Sequence, residues 1–290
     1  MPIRKFTLTH HNSLQTLLNF IAHKLIISKN KAKQLLDKRH VFVNKKRVWI
    51  ASYQLQKGDI VEVAIEDTEP LNFISKDEGT GYKEVNVLFY DDFYLIVSKP
   101  PCLLTNGADS LESHLRERFK NNQIQAVHRL DRDTSGAVIF AMDKDAFERM
   151  KAMFKNNLVK KVYKAMVQGR VEKQTFTINT PIQGQKAITH VKTLKKGTIA
   201  SYLEVMIETG RTHQIRIHLA SVGHPVVGER EYDCKPINNP LLRHVARQML
   251  HSYQIAFTHP YTQKTVSISA DIPEDFRQCL KNLGLKEKEI

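Results

Sequence analysis

Apolar residues fall along this chain in two rhythms. Between 13 and 22, Leu14, Leu17, Leu18 and Ile21 recur at helical spacing, which predicts a helix from Ser13-Leu14 to Ala22. Ser28 is placed to cap a second helix over 29–39, with Leu35 and Leu36 on its apolar side. The next stretch, 41-VFVNKKRVWI-50, reads as two short strands around Asn44-Lys45, and a Gly-Asp turn at 58–59 leads into an alternating strand that reaches Val63. Residues 66–84 are polar and hold Pro70, Gly79 and Gly81, the composition of a linker. Beyond them strands dominate, near 93–99, 137–142, 161–168, 189–195, 199–208, 250–258 and 264–269, with a hairpin turn at Lys196-Gly197. Helices are expected at 110–120, over 145–157 behind acidic caps, and after Pro273. Strands that do not alternate regularly with helices argue for an α+β fold. The expected layout is a small α/β module over 1–69, a linker over 70–84, and over 85–290 a mostly antiparallel sheet domain flanked by helices and loops.

Length and composition fit that division. The chain has 290 residues, 41% hydrophobic and 26% charged, enough for a medium domain plus a small one with real cores. Charge changes the picture more. The formal net charge is +14, which favours polyanions, nucleic acid before acidic membrane. Over 23–47, Lys24, Lys29, Lys31, Lys33, Lys38, Arg39, Lys45, Lys46 and Arg47 face a single acid, Asp37, a net +8 on two helices and a hairpin. A charge run is most often a solvated face; this one lies on the apolar pattern of a folded module. Cys102, Cys234 and Cys279 are odd in number and widely spaced, without a Cys-x-x-Cys pair, which argues against structural zinc and a disulfide framework. Reduced thiols, an N-terminus without a signal-type apolar run, and no apolar stretch of membrane-spanning length lead us to expect a cytoplasmic protein.

One stretch asks for a chemical explanation. In 127-VHRLDRDTSGAVIFAMD-143, charged residues and a Thr-Ser-Gly turn stand directly before a clean apolar strand. Asp131 is flanked by Arg129 and Arg132, and nearby cations favour an ionised carboxylate, which can act as nucleophile or base. For an Asp in a polar loop, turn capping is the ordinary alternative. A glycosidase-like pair with Asp133 leaves little room for a sugar. A kinase-type loop lacks both the Gly-rich phosphate loop and Asp-Phe-Gly. Downstream, 208-ETGRTHQIRIHLASVGHPVVGEREY-232 opens with a turn at Gly210; Thr212 is placed to cap a helix bearing Ile215 and Leu219, with Arg216 on its first turn pointing out of the core. His213 and His218 are five apart, so they read as polar contacts rather than metal ligands.

Taken in order, 99-KPPCLL-104, 128-HRLDRDTSG-136, 161-KVYKAMVQG-169, 210-GRTHQIRIHLASVGHPVVGEREY-232 and 250-LHSYQIAFTHP-260 resemble the motifs of RluA-type pseudouridine synthases. The N-terminal pattern resembles the S4 RNA-binding domain. The first motif departs from the family at Pro101 to Gly107, and Gly228-Glu229 stands where Gly-Asp is usual. The resemblance implies isomerisation of uridine within RNA, without metal or other cofactor: the N1–C1′ bond breaks, uracil turns, and C5 bonds to C1′. It implies Asp131 as catalytic carboxylate, attacking the nucleoside or taking a ribose proton. Tyr163 would stack on uracil and assist proton removal from C5, Arg216 would pair with Asp131, and Leu250 would wall the base pocket. Arg129 and Arg132 suit phosphate contacts or the space left by a flipped base. In the N-terminal module, Lys31, Lys33, Lys38, Arg39, Lys45, Lys46 and Arg47 are the expected RNA contacts. The implied partner is 23S-type large-subunit ribosomal RNA or an assembly intermediate, with no membrane, and a monomer as the default. Two rivals are a catalytically idle RNA-binding or ribosome-assembly factor, and a basic hydrolase of nucleosides or sugars that lacks a convincing second carboxylate.

Overall fold

The structure, a computed structural model, describes residues 3–8, 16–25, 29–64, 72–73, 85–232 and 239–285. The chain divides into two compact units, Met1–Val87 and Leu88–Ile290. Among the described residues, no helix is long and apolar enough to cross a membrane.

In the first unit, β1 (Ile3–Thr7), β4 (Ile60–Ala64), β2 (Val41–Val43) and β3 (Lys46–Arg47) form a sheet in the order β1-β4-β2-β3. Helices α1 (Leu17–Leu25) and α2 (Lys29–Asp37) contribute to its core. Leu17, Phe20, Ile21 and Leu25 of α1 share one face and are buried with Leu36, Val41, Val61 and Val63. Each such side chain contributes roughly 1.5–3 kcal/mol relative to exposure. The helix starts later than its sequence pattern suggests and runs on to Leu25; Ser13, Leu14 and the expected cap Ser28 lie outside the described residues. The Asn44-Lys45 turn has both residues at positive φ, 50° and 66°, as a two-residue hairpin requires. Asn44 also ties the turn to the next strand: its Nδ2 donates to Asp59 (2.7 Å) and its Oδ1 accepts from the Ile60 N–H (2.9 Å). Lys24 departs from the expected basic face, because its side chain is buried. The side chains of Lys29 and Lys31 lie outside the described residues, whereas Lys33, Lys38, Arg39, Lys45, Lys46 and Arg47 are exposed.

The short β5 (Asn72–Phe73) pairs with the start of β6 (Val85–Tyr90) inside the expected linker, and the boundary between the units falls within β6. The second unit is built on β7 (Tyr94–Lys99), β8 (Gln125–Ala126), β9 (Ser135–Ala141), β10 (Lys160–Gln168), β11 (Thr175–Ile178), β12 (Thr189–Lys196), β13 (Ala200–Ile207), β14 (Leu250–Thr258) and β15 (Thr265–Ser269). Its strands run β11-β12-β13-β10-β14-β9-β7, with β15 on β14 and β8 on β9. The helices are α3 (Leu111–Phe119), α4 (Lys144–Lys155), α5 (Gln214–Ser221), α6 (Pro240–Arg243) and α7 (Glu274–Asn282). The fold is α+β, and the sheet is antiparallel at most of its pairings; β9 and β14 run parallel. At that crossing Gly136 has φ 113°, and a Cβ there would lie 2.2 Å from the Ser252 carbonyl oxygen. Only glycine lets the two strands meet.

Alternation on β9 sends Ala137, Ile139 and Ala141 into one core with Ala146 and Met150 of α4. Asp143 caps α4, its carboxylate accepting from the Ala146 N–H at 2.8 Å. A second core joins Met166, Ala200 and Tyr202 to Phe276 and Leu280 of α7. The two cores steady β9, β10 and β14, whose ends carry the site.

Candidate active site

Asp131 sits in the loop that feeds β9, and that loop is gripped mainly through its backbone. Val127 donates to Ile139 O (3.0 Å), and the ring of His128 accepts the Ile139 N–H (3.1 Å). Burial, with the nearby Lys161 charge, pushes the His128 imidazole down to about 3, so it stays a neutral acceptor. The Thr105 hydroxyl donates to Leu130 O and accepts from Leu130 N–H, at 3.0 and 3.1 Å. Arg247 donates to Asp133 O (3.0 Å). Lys99, fully buried at the end of β7, donates to three carbonyls, those of Pro100 (2.9 Å), Leu103 (2.8 Å) and Arg132 (2.9 Å). The backbone of the loop is thus held on both sides of Asp131.

An open cleft brings together Asp131, Tyr163, Arg216, Leu250 and Arg129 with His213, Gln214 and Ile207. Tyr163 comes from β10 and Leu250 from the start of β14, strands paired directly with each other. The Arg132 side chain is exposed next to Asp131 in the chain and does not line the cleft, while its carbonyl accepts from Lys99.

Arg216 differs from expectation. The sequence predicts a side chain pointing out of the core, yet it is buried, with 3% of its surface exposed. Three carboxylates draw it inward. Glu229 takes a two-pronged fork from Nε and Nη2, both at 2.7 Å; Glu231 accepts from Nη2 at 2.9 Å; and Nη1 reaches Asp131 Oδ2 at 3.3 Å. Burial works against the Arg216 charge, but the Glu229 fork and the Asp131 charge outweigh it and hold the group firmly protonated. Burial likewise opposes the Glu229 charge, and the hydrogen bonds from Arg216 and from the Glu231 and Arg230 N–H groups hold its carboxyl below the usual range. Gly228 makes this turn possible: at φ 83°, any Cβ would stand 2.0 Å from Arg247 O.

The start of α5 is built differently from the sequence reading. Thr212 is not the cap. His213 holds the N-cap position at φ 55° and makes no capping hydrogen bond. Gln214 organises the turn instead, its Oε1 accepting from the Thr209 hydroxyl (2.7 Å) and the Arg211 N–H (3.0 Å). His213 is thereby turned to the cleft, with Nε2 3.6 Å from Asp131 Oδ1 and Nδ1 2.8 Å from the Tyr232 hydroxyl. His218 makes polar contacts, with Thr189 and the Thr180 carbonyl. On Tyr163, burial first and then the Asp131 charge push the phenol well above its ordinary range, against a hydrogen bond with Ser252. The phenol therefore stays protonated beside an acidic neighbour. Among the described residues, no group of three His, Cys, Asp or Glu side chains is arranged to hold a metal ion.

Sequence reasoning missed Glu229, Glu231, His213 and Lys99 as site residues. For Glu229 a signal existed, because it stands at the family's acidic position.

Residues 93–221 match the RNA pseudouridylate synthase family, and residues 15–61 match the S4 domain. The chain is 30% identical over 292 residues to an uncharacterized RNA pseudouridine synthase of Bacillus subtilis, covering 92% of this chain and 93% of the relative. It is also 30% identical over 298 residues to the ribosomal large subunit pseudouridine synthase C of Vibrio cholerae, covering 93% of each. Two human structures share the fold. RNA pseudouridylate synthase domain containing 4 has a TM-score of 0.59 at 20% identity, covering 70% of this chain and 94% of that one. Domain containing 1 has a TM-score of 0.56 at 24% identity, covering 67% and 87%. With a buried guanidinium set against a cleft carboxylate and relatives matched over nearly its whole length, this chain belongs to the RluA family of RNA pseudouridine synthases and carries an S4 domain on its N-terminal side.

Proposed function

We propose that the enzyme isomerises uridines of large-subunit ribosomal RNA, with Asp131 as its catalytic carboxylate. The observation that carries the assignment is the meeting of Asp131, Arg216 and Tyr163 in one open cleft. Nucleophilic attack at C1′ and removal of a ribose proton ask the same of Asp131: it must be ionised and must face the sugar. The Arg216 guanidinium at 3.3 Å serves both routes, since it balances charge on the carboxylate without competing for its second oxygen. Tyr163 offers the uracil a ring face, and its protonated phenol can relay the proton that leaves C5. Leu250 walls the same space. A uridine inside folded RNA must be turned out of its stack to reach this cleft, and Arg129 at the rim is placed for the phosphate or the gap that remains.

In this reading residues 1–69 capture RNA, 70–84 link, and 85–290 carry the chemistry. Exposed Lys33, Lys38, Arg39, Lys45, Lys46 and Arg47 supply the electrostatic footprint. The ribosomal target is supported by the large-subunit synthases of several Vibrio species among the relatives. Site-resolved pseudouridine mapping of ribosomal RNA, from cells with and without the protein, tests it. The expected result is one or more large-subunit positions that revert to uridine when the protein is absent. Loss confined to tRNA would overturn the ribosomal assignment and keep the chemistry.

A further inference from the structure

We propose that Trp49, with Ile50 and Tyr53 in the same segment, is a stacking platform for unpaired nucleotides of the RNA substrate, bordered by Arg39 and Arg47 as phosphate contacts. It rests on the reading of the first unit as RNA-binding and deepens it, from charge alone to a base-contacting surface.

Isolated apolar residues on a surface are ordinary; clustering is informative. Seven large hydrophobics are exposed among the described residues, and three fall within five consecutive positions: Trp49 at 52%, Ile50 at 55% and Tyr53 at 37%. This segment is not a loose loop. Val48 N–H donates to Val41 O, Tyr53 N–H donates to Ile50 O, and the carbonyls of Ala51 and Tyr53 accept from Leu18 and Leu17 at the start of α1. Val48 and Ala51 pack against the core, so the backbone is fixed while Trp49, Ile50 and Tyr53 remain exposed. A rigid aromatic surface loses little entropy on binding.

The charge around it selects the occupant. The Arg39 guanidinium lies over the Trp49 ring at 5.2 Å, and that of Arg47 over Phe42 at 5.2 Å. Lys38, Lys45 and Lys46 are exposed close by in sequence. Aromatic faces interleaved with cations suit a single strand, whose bases stack while its phosphates meet the arginines. Paired RNA offers phosphates but no open base faces.

Trp49 is the sole tryptophan, so its emission reports on this surface alone. The test titrates the full chain with an unpaired oligoadenylate and with a blunt RNA duplex of equal charge, following both tryptophan emission and the anisotropy of labelled RNA. Adenylate holds no uridine, so the result is independent of isomerisation, which C5-tritium release reads separately. The expected result is saturable quenching by the single strand and little by the duplex. Trp49→Ala should weaken single-strand binding roughly 5- to 150-fold with the salt slope unchanged, and Trp49→Phe should restore most of it. The far-ultraviolet helix signal checks that both variants are folded. A surface meant for protein would leave the emission unmoved by either RNA. That result, or unchanged affinity in Trp49→Ala, overturns the proposal.

Discussion

Asp131 meets a different side chain at each oxygen, the Arg216 guanidinium at 3.3 Å and the His213 ring at 3.6 Å. Adjacency in the chain suggests Arg129 and Arg132 as its electrostatic neighbours, and the family resemblance adds Arg216, which the fold brings to 3.3 Å from 85 residues away. Asp131 and Tyr163 are legible because short motifs carry them. Glu231 is not, because 228-GEREY-232 reads like any solvated charge run, and the motif position of Glu229 does not reveal that it grips Arg216. The three-carboxylate grip makes a sharp prediction. Arg216→Lys keeps the charge but cannot hold Glu229 by a fork while reaching Asp131. Turnover at saturating RNA should fall by roughly 100-fold, the usual scale for a misplaced reacting group, with RNA affinity changed far less. Single-turnover kinetics beside a binding titration separates the two. Glu229→Ala should destabilise the fold by about 3 kcal/mol through the weakened partner set of a buried cation, read as a lower denaturation midpoint.

At the scale of elements, long alternating runs are read correctly. β10 and β12 through β15 lie within a residue or two of their expected positions, because buried strands print their period on the sequence. The two-residue β8 and the four-residue β11 are missed, being too short to print a period. The Asp131 loop depends on an element whose role the first motif does not reveal. Lys99→Met would leave the carbonyls of Pro100, Leu103 and Arg132 without their donor, a cost on the order of 3 kcal/mol. Hydrogen exchange across 127–134 should accelerate and turnover should drop. The β9–β14 junction carries a pH dependence of its own. His251 is fully buried, bonded to the Ser135 hydroxyl at 2.9 Å and, through Nε2, to the Ala270 carbonyl at 3.1 Å. Burial pushes its imidazole down to about 4, against the Ala270 bond. Below pH ~6.5 the unfolded chain binds a proton that the native one refuses, so this site favours unfolding as pH falls from about 6.5 to about 4. Denaturant midpoints across that window should decline, and a His251→Gln variant should show a shallower slope even if its absolute stability is lower.

The whole molecule carries +14, and its N-terminal unit holds a dense exposed share of that charge. Composition points to a polyanion before any motif does, but it does not say which side chains reach solvent, and Lys24 is buried. If Lys45, Lys46 and Arg47 each meet a phosphate, replacing all three with serine should lower the salt slope of single-stranded RNA binding by roughly 0.7 per phosphate left without its cation. The effect should appear in KM more than in kcat, because the chemistry is assigned to the other unit. The central claim concerns that chemistry, and one measurement bears on it most directly. Large-subunit ribosomal RNA carrying C5-tritiated uridine is incubated with the wild-type protein and with Asp131→Asn, whose side chain has nearly the same shape and lacks the charge. Tritium release to water by the wild type and none above background by the variant, with RNA binding retained, is the predicted result. Release by Asp131→Asn at the wild-type rate would contradict the assignment of the catalytic carboxylate.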